Sequence, residues 1–107
     1  MPHSKLASPS ATRSLLSEFG LSAKYELGQN FLVNDDVVGK ICDLAGIGPD
    51  DVVLEVGPGI GTLTSALLPR VAAVVAVEAD ADMRGPLSVS TADYSERFAL
   101  VEGDALR

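Results

Sequence analysis

Val52 to Val56 is an almost wholly apolar run that leads straight into Gly57-Pro58-Gly59-Ile60-Gly61 and then into Thr62-Leu63-Thr64-Ser65. A second apolar run, Val71 to Val77, follows and ends on Glu78. A run of this length and character, introduced by Asp50-Asp51, reads as a strand buried on both faces, the situation of strands in parallel sheets covered by helices. Strand, glycine turn, helix and strand make a βαβ unit. Open α/β sheets built from such units bind nucleotide-type ligands beyond the carboxyl ends of their strands.

The loop chemistry narrows the ligand. Glycines at 57, 59 and 61 lack a Cβ, so the backbone is free to take positive φ and a ligand can approach the main chain closely. Dinucleotide loops use the spacing G-x-G-x-x-G and hold a pyrophosphate at the helix start. Here the spacing is G-x-G-x-G, and Thr62 stands where a dinucleotide fold wants a glycine for close helix packing. Glu55 also puts a negative charge at the mouth of the loop, which repels a pyrophosphate and favours a cationic group. Glu78, twenty-one residues beyond Gly57, is placed to accept both hydroxyls of a ribose. A ribose without a pyrophosphate points to S-adenosylmethionine.

Around that unit the chain divides into short elements. Residues 1–10 read as a flexible arm that adds nothing to the core. Ser10 is placed to cap a helix over 11–19, with Leu15, Leu16 and Phe19 on one stripe and Gly20 as its stop. The stretch from Lys24 to Val33 lacks periodicity and suits a ligand-contacting loop. Asn34 caps a second helix with Val37, Val38, Ile41, Leu44 and Ala45 as its apolar face, ended by Gly46. After the glycine loop a helix is predicted from about Thr62 to Leu68. Asp80 to Tyr94 should hold a crossover helix, which Gly85-Pro86 would interrupt. Phe98 to Val101 is the third strand, and Asp104 lies in the turn beyond it.

Composition sets the partner classes. Eight Lys and Arg against fifteen Asp and Glu give a net charge of −7, unlike the basic faces of nucleic-acid binders. The imbalance is uneven: Lys5, Arg13 and Lys24 against Glu18 give the first 25 residues +2, while the rest, five basic against fourteen acidic, carry −9. Any RNA contact in this segment is therefore expected on the leading arm. Cys42 is the only cysteine, which excludes an intrachain disulfide, fits a reducing cytoplasm and reads as a small buried residue on a helix. No apolar stretch approaches a membrane span. A soluble protein with no membrane partner and no metal is expected, and His3 is given no role.

Upstream of the loop, Leu27-Gly28-Gln29-Asn30-Phe31-Leu32 is similar to the signature that precedes the cofactor loop in the ribosomal RNA small-subunit adenine dimethyltransferases, the KsgA/Dim family. The order matches as well: a short helix, this segment, a helix, Glu55-Val56-Gly57-Pro58-Gly59 and an acidic strand end, over roughly residues 12–106. The resemblance implies a Rossmann-like class I methyltransferase fold, of which residues 11–107 form the N-terminal portion of the catalytic domain. It implies methyl transfer from S-adenosylmethionine to the exocyclic amines of two adjacent adenines near the 3′ end of small-subunit rRNA, with the pre-ribosomal small subunit as partner.

The resemblance also implies site roles. Gly57, Gly59 and Gly61 would bring backbone to the methionine moiety, and Glu78 would accept the ribose hydroxyls. Asp104 would accept the adenine amine, and Asn30 and Leu32, with Gln29 beside them, would touch the methionine end. Glu55 either acts on the cofactor's ammonium group or caps loop amides. The family's Asn-Leu-Pro-Tyr signature occurs nowhere in the sequence, so no catalytic residue is expected here and the chain reads as the cofactor half of a longer enzyme. A macrolide-resistance-type 23S rRNA methylase, another class I methyltransferase and a noncatalytic RNA-binding relative remain alternatives; Gly28 before Gln29-Asn30-Phe31 leans toward the small-subunit enzyme.

Overall fold

The computed structural model describes residues 2–106, with Gly28 and Gln29 described in their backbone only. In chain order the elements are α1 (Pro9–Glu18), α2 (Leu27–Asn30), α3 (Asp35–Ala45), β1 (Val52–Val56), α4 (Thr62–Leu67), β2 (Ala73–Glu78), α5 (Arg84–Ser90) and β3 (Phe98–Glu102). Short 3-10 segments, Ala81–Met83 and Ala92–Arg97, flank α5. The strands form a parallel sheet in the order β1-β2-β3, as the βαβ reading requires. The register sets Glu55 beside Ala76 and Ala76 beside Leu100. The ladder continues past the strands: the Gly57 amide donates to the Val77 carbonyl (2.8 Å) and the Gly103 amide to the Glu78 carbonyl (2.9 Å). The three carboxyl ends are thereby held level.

The expectation that β1 is buried on both faces is not met. Val52, Leu54 and Val56 are 66%, 65% and 65% exposed, whereas the alternate positions Val74 and Ala76 on β2 are 0% exposed. Because strand side chains alternate between faces, this means that the described helices cover one face of the sheet. Val74 packs with Val38, Cys42, Ala66, Leu67 and Leu68, and Leu100 sits against Leu15, Leu16, Ile60, Met83 and Leu87. A continuous apolar strand records that both faces suit burial, and the described residues supply a cover for only one.

The helices form for local reasons, some of which differ from the sequence expectation. α1 is capped by Ser8, whose hydroxyl accepts from the Ala11 amide at 3.1 Å with Pro9 in the first turn, so the cap lies two residues before the predicted Ser10. Proline in that position lacks only an amide that would have no helical partner. The leading residues also reach the core: Ala7 is buried in the cluster around Val38 and Val74. His3 and Ser4 donate their amides to the Asp35 carboxylate at 2.9 and 2.8 Å, which holds that carboxyl below its usual range. His3 Nδ1 lies 2.7 Å from Arg70 Nη2.

α3 begins at Asn34, whose side chain accepts from the amides of Asp36 and Val37, and ends at Gly46 with φ +62°, both as expected. Its buried face is rotated from the predicted one. Val38, Gly39 and Cys42 are buried, while Val37 is 40% and Leu44 87% exposed. Two overlapping stripes fit the helical period; the side that carries Val38 and Cys42 packs on Val74, Leu67 and Leu68, with the His3 ring seated against Gly39. Cys42 is buried as expected, and burial pushes its thiol up. Pro86 does not break the crossover helix: it lies in the first turn of α5, where its missing N–H has no helical acceptor. Gly85 beside it lets the Phe19 ring approach the backbone.

Candidate functional site

The loop after β1 is built on three left-handed glycines, Gly57 (φ +70°), Gly59 (φ +61°) and Gly61 (φ +96°). Their amides are all committed within the fold. Gly57 donates to Val77, Gly61 donates to the Pro58 carbonyl at 3.0 Å, and Gly59 donates to Glu78 Oε1 at 3.0 Å. A pyrophosphate cradle needs outward-facing amides, and these three point elsewhere. The glycines also differ in surroundings. A Cβ at Gly59 would meet the Phe31 ring at 3.3 Å, one at Gly61 would meet Ser90 Oγ at 2.2 Å, and one at Gly57 would meet nothing within 4 Å. Gly57 is thus the position with open space for a ligand to enter.

Glu78 organises the strand ends. Besides the Gly59 amide on Oε1, its Oε2 accepts from the Asp80 amide at 2.9 Å. Each carboxylate oxygen keeps further acceptor capacity after one such bond, so two neighbouring hydroxyls could still be received. Asp80 in turn accepts from the Asp82 amide and from the Tyr25 hydroxyl, and Tyr25 also reaches Asp82. Lys24 pairs with Asp82, the contact that chiefly lowers that carboxyl below its usual range. Desolvation first, and then Asp80 and Asp82, push the Tyr25 phenol above its usual range. The Tyr25 and Phe31 rings meet edge to face at 5.7 Å. Segment 24–32 is therefore tied to the end of β2 and leans over the glycine loop, where Asn30 Oδ1 accepts from the Glu26 amide at 3.0 Å and closes the one-turn helix α2.

Between that segment and the loop lies a cavity of about 160 Å³, lined by Asn30, Phe31, Leu32, Glu55, Val56, Gly57, Pro58, Gly59, Thr62 and Leu63. Glu55 is 8% exposed and accepts a hydrogen bond from the Thr64 hydroxyl. Burial raises its carboxyl above the usual range; the Thr64 hydrogen bond opposes this, and the negative charge of Glu78 adds to it. Thr62 is 4% exposed, and its hydroxyl has no hydrogen-bond partner. A larger hollow of about 650 Å³ lies between residues 2–6, α1 and the Pro69 and Tyr94 region. It touches none of the residues expected to hold the cofactor, and its lining holds no buried charge, so the smaller cavity is the site with directed chemistry.

Of the residues expected from sequence, Asn30, Leu32, Glu55, Gly57 and Gly59 line this one cavity, and Glu78 joins it through the Gly59 amide. Gly61 does not line it and packs on Ser90 of α5. Asp104 lies outside the cavity in the turn after β3, where Oδ1 accepts from the Leu106 amide at 2.9 Å. The side chain of Gln29 lies outside the described residues. Sequence reasoning passed over Thr62 and the Lys24, Tyr25 and Asp80 tether. A hydroxyl residue directly after the third glycine was a signal for the first; nothing local announces a contact between positions 55 residues apart.

Comparison with known proteins gives consistent results. Residues 20–107 match the family model described as ribosomal RNA adenine dimethylase. The chain is 43% identical over 107 residues to the ribosomal RNA small subunit methyltransferase A of Thermobifida fusca, an alignment spanning 96% of this chain and 37% of that protein. Among solved structures it resembles a dimethyladenosine transferase from Plasmodium falciparum (TM-score 0.63, 32% identity, 69% of this chain and 27% of the other). It also resembles the 23S rRNA methyltransferase ErmE (TM-score 0.62, 30% identity, 68% and 30%). The chain therefore spans little more than a third of the length of the curated relative it matches.

Proposed function

The chain belongs to the ribosomal RNA adenine dimethylase family, and from that premise we propose that it forms the cofactor-binding part of an S-adenosylmethionine-dependent enzyme that dimethylates two adjacent adenines near the 3′ end of small-subunit rRNA during ribosome biogenesis in the cytoplasm. The observation that carries the cofactor reading is the inward commitment of the three glycine amides beside a buried carboxylate. Such a loop disfavours a pyrophosphate and suits a ligand that is cationic at this end.

When bound, the cofactor supplies a methyl group on a sulfonium. The residues of this chain hold and orient it. Glu78 receives the ribose hydroxyls with the acceptor capacity left on its two oxygens. The open backbone at Gly57, faced by Asn30 and Leu32, admits the methionine end, and Gly59 sets the loop's turn beneath it. Gln29 supports that end, Gly61 sustains the loop by close packing on α5, and Asp104, at the carboxyl end of β3, takes the adenine amine. Glu55 keeps a negative potential beside the cationic end. Positioning of this kind, rather than acid–base chemistry, is the main requirement for moving a methyl group from a good leaving group.

The target adenine must leave its stack to be reached, and the groups that would hold it are not in this sequence. RNA contacts fall on Lys5, Arg13 and Lys24 of the basic leading stretch. The similarity to ErmE keeps large-subunit rRNA as the second reading. Labelled methyl transfer by the full-length protein to small and large ribosomal subunits, followed by mapping of dimethyladenosine, tests both: label confined to two adjacent small-subunit adenines supports the first, and label on large-subunit rRNA selects the second.

A further inference from the structure

Thr62 holds a hydroxyl that the fold does not use. Four threonines are buried with their packing settled: Thr12, Thr62, Thr64 and Thr91. Thr12 donates to the Leu6 carbonyl (2.9 Å), Thr91 to the Leu87 carbonyl (2.7 Å) and Thr64 to Glu55. Thr62 alone among the described residues leaves a buried side-chain polar atom without a partner. Buried hydroxyls are nearly always satisfied, so an orphan on a residue that lines a cavity calls for an occupant. A valine would fill the same volume without that penalty, so packing does not explain the hydroxyl.

The cavity specifies the occupant. At about 160 Å³ it is too small for a whole nucleoside and fits a compact polar end group. Its lining contains the buried carboxylate of Glu55 and no Lys, Arg or His. A zwitterion entering it would set its ammonium toward Glu55, and its carboxylate would then need neutral donors. The glycine amides are committed, and among the lining side chains the neutral donors are the Thr62 hydroxyl and the Asn30 amide nitrogen.

We infer that Thr62 is a cofactor-positioning residue whose hydroxyl donates a hydrogen bond to the α-carboxylate of the cofactor's amino-acid end, opposite an ammonium held by Glu55. This inference rests on the S-adenosylmethionine reading given above and adds the group that selects the amino-acid end.

The test is isothermal titration of the full-length protein with S-adenosylhomocysteine and with its decarboxylated analogue, S-adenosylthiopropylamine, which keeps the ammonium. T62V is expected to bind S-adenosylhomocysteine about tenfold more weakly, the size of a hydrogen bond to a charged group. It should bind the analogue as the wild type does, and T62S should restore the loss. The ligand-free T62V protein should melt no lower than the wild type. Equal affinity of T62V and wild type for S-adenosylhomocysteine, or equal weakening for both ligands, would overturn the inference while leaving the cofactor reading intact. Failure of the wild type to bind either ligand would overturn that reading itself.

Discussion

The Gly59 amide donates to Glu78 Oε1 at 3.0 Å, joining the loop after β1 to the carboxyl end of β2. One carboxylate therefore fixes the loop conformation and, through Oε2 on the Asp80 amide, the start of the crossover. The expected ribose acceptor is already positioned by backbone before any ligand arrives.

Replacing Glu78 should separate loop order from ligand affinity. Glu78→Ala removes both hydrogen bonds and is expected to lower stability by about 1–3 kcal/mol and cofactor affinity by at least tenfold. Glu78→Gln keeps one acceptor oxygen and should recover much of the stability while remaining weak in binding. Urea denaturation beside calorimetric titration measures the two effects.

Glu55 predicts a pH signature. Burial raises its folded-state carboxyl above the unfolded value, so the contribution of this group to stability is complete below the unfolded value and is lost as pH rises through the folded one. Wild-type stability should fall across that window, and Glu55→Gln should flatten the dependence. A cationic ligand favours the ionised form, so binding near the raised value should release protons from the wild type and not from Glu55→Gln. Titration in two buffers of different ionisation enthalpy reads the protons directly.

The tether of segment 24–32 predicts unequal effects at adjacent residues. Tyr25→Phe removes the hydroxyl that reaches Asp80 and Asp82 and should cost about 1 kcal/mol, with a weaker grip on the cofactor as Asn30 and Leu32 lose their support. Lys24→Ala breaks only an exposed ion pair and should leave thermal stability nearly unchanged. Comparable losses from both would argue against a phenol-centred tether.

Gly61 and Gly46 share left-handed φ and differ in neighbours. A Cβ at Gly61 meets Ser90 Oγ at 2.2 Å, while one at Gly46 meets nothing within 4 Å. Gly46→Ala should cost about 1 kcal/mol for the backbone alone, and Gly61→Ala roughly 2–3 kcal/mol once the clash with α5 is added. Chemical denaturation of the two variants tests the difference.

The sequence disclosed most where chemistry is local. The strand into the Gly57 to Gly61 turn, the Asn34 cap and the Gly46 stop are consecutive signals, and each forms where its residues place it. It disclosed less where partners are remote. Leu44 and Val37 share a helical period with Val38, and which stripe is covered is decided by remote partners, Val74, Leu67 and Leu68 on Val38 and Cys42 and the His3 ring on Gly39. Leu54 reads as core in any parallel strand, yet its exposure depends on elements outside its own βαβ unit. At the candidate site, spacing singled out Gly57 and Gly59, which line the cavity, and Glu78, which accepts from the Gly59 amide, but also Gly61, which does not line it. The Tyr25 tether was not legible, because it joins residues whose proximity is created by the fold.

The most direct test of the account is calorimetric titration of the full-length protein with S-adenosylhomocysteine and with NADH. The account predicts micromolar binding of S-adenosylhomocysteine, weakened at least tenfold by Glu78→Ala, and no binding of NADH. Micromolar binding of NADH with none of S-adenosylhomocysteine would contradict it.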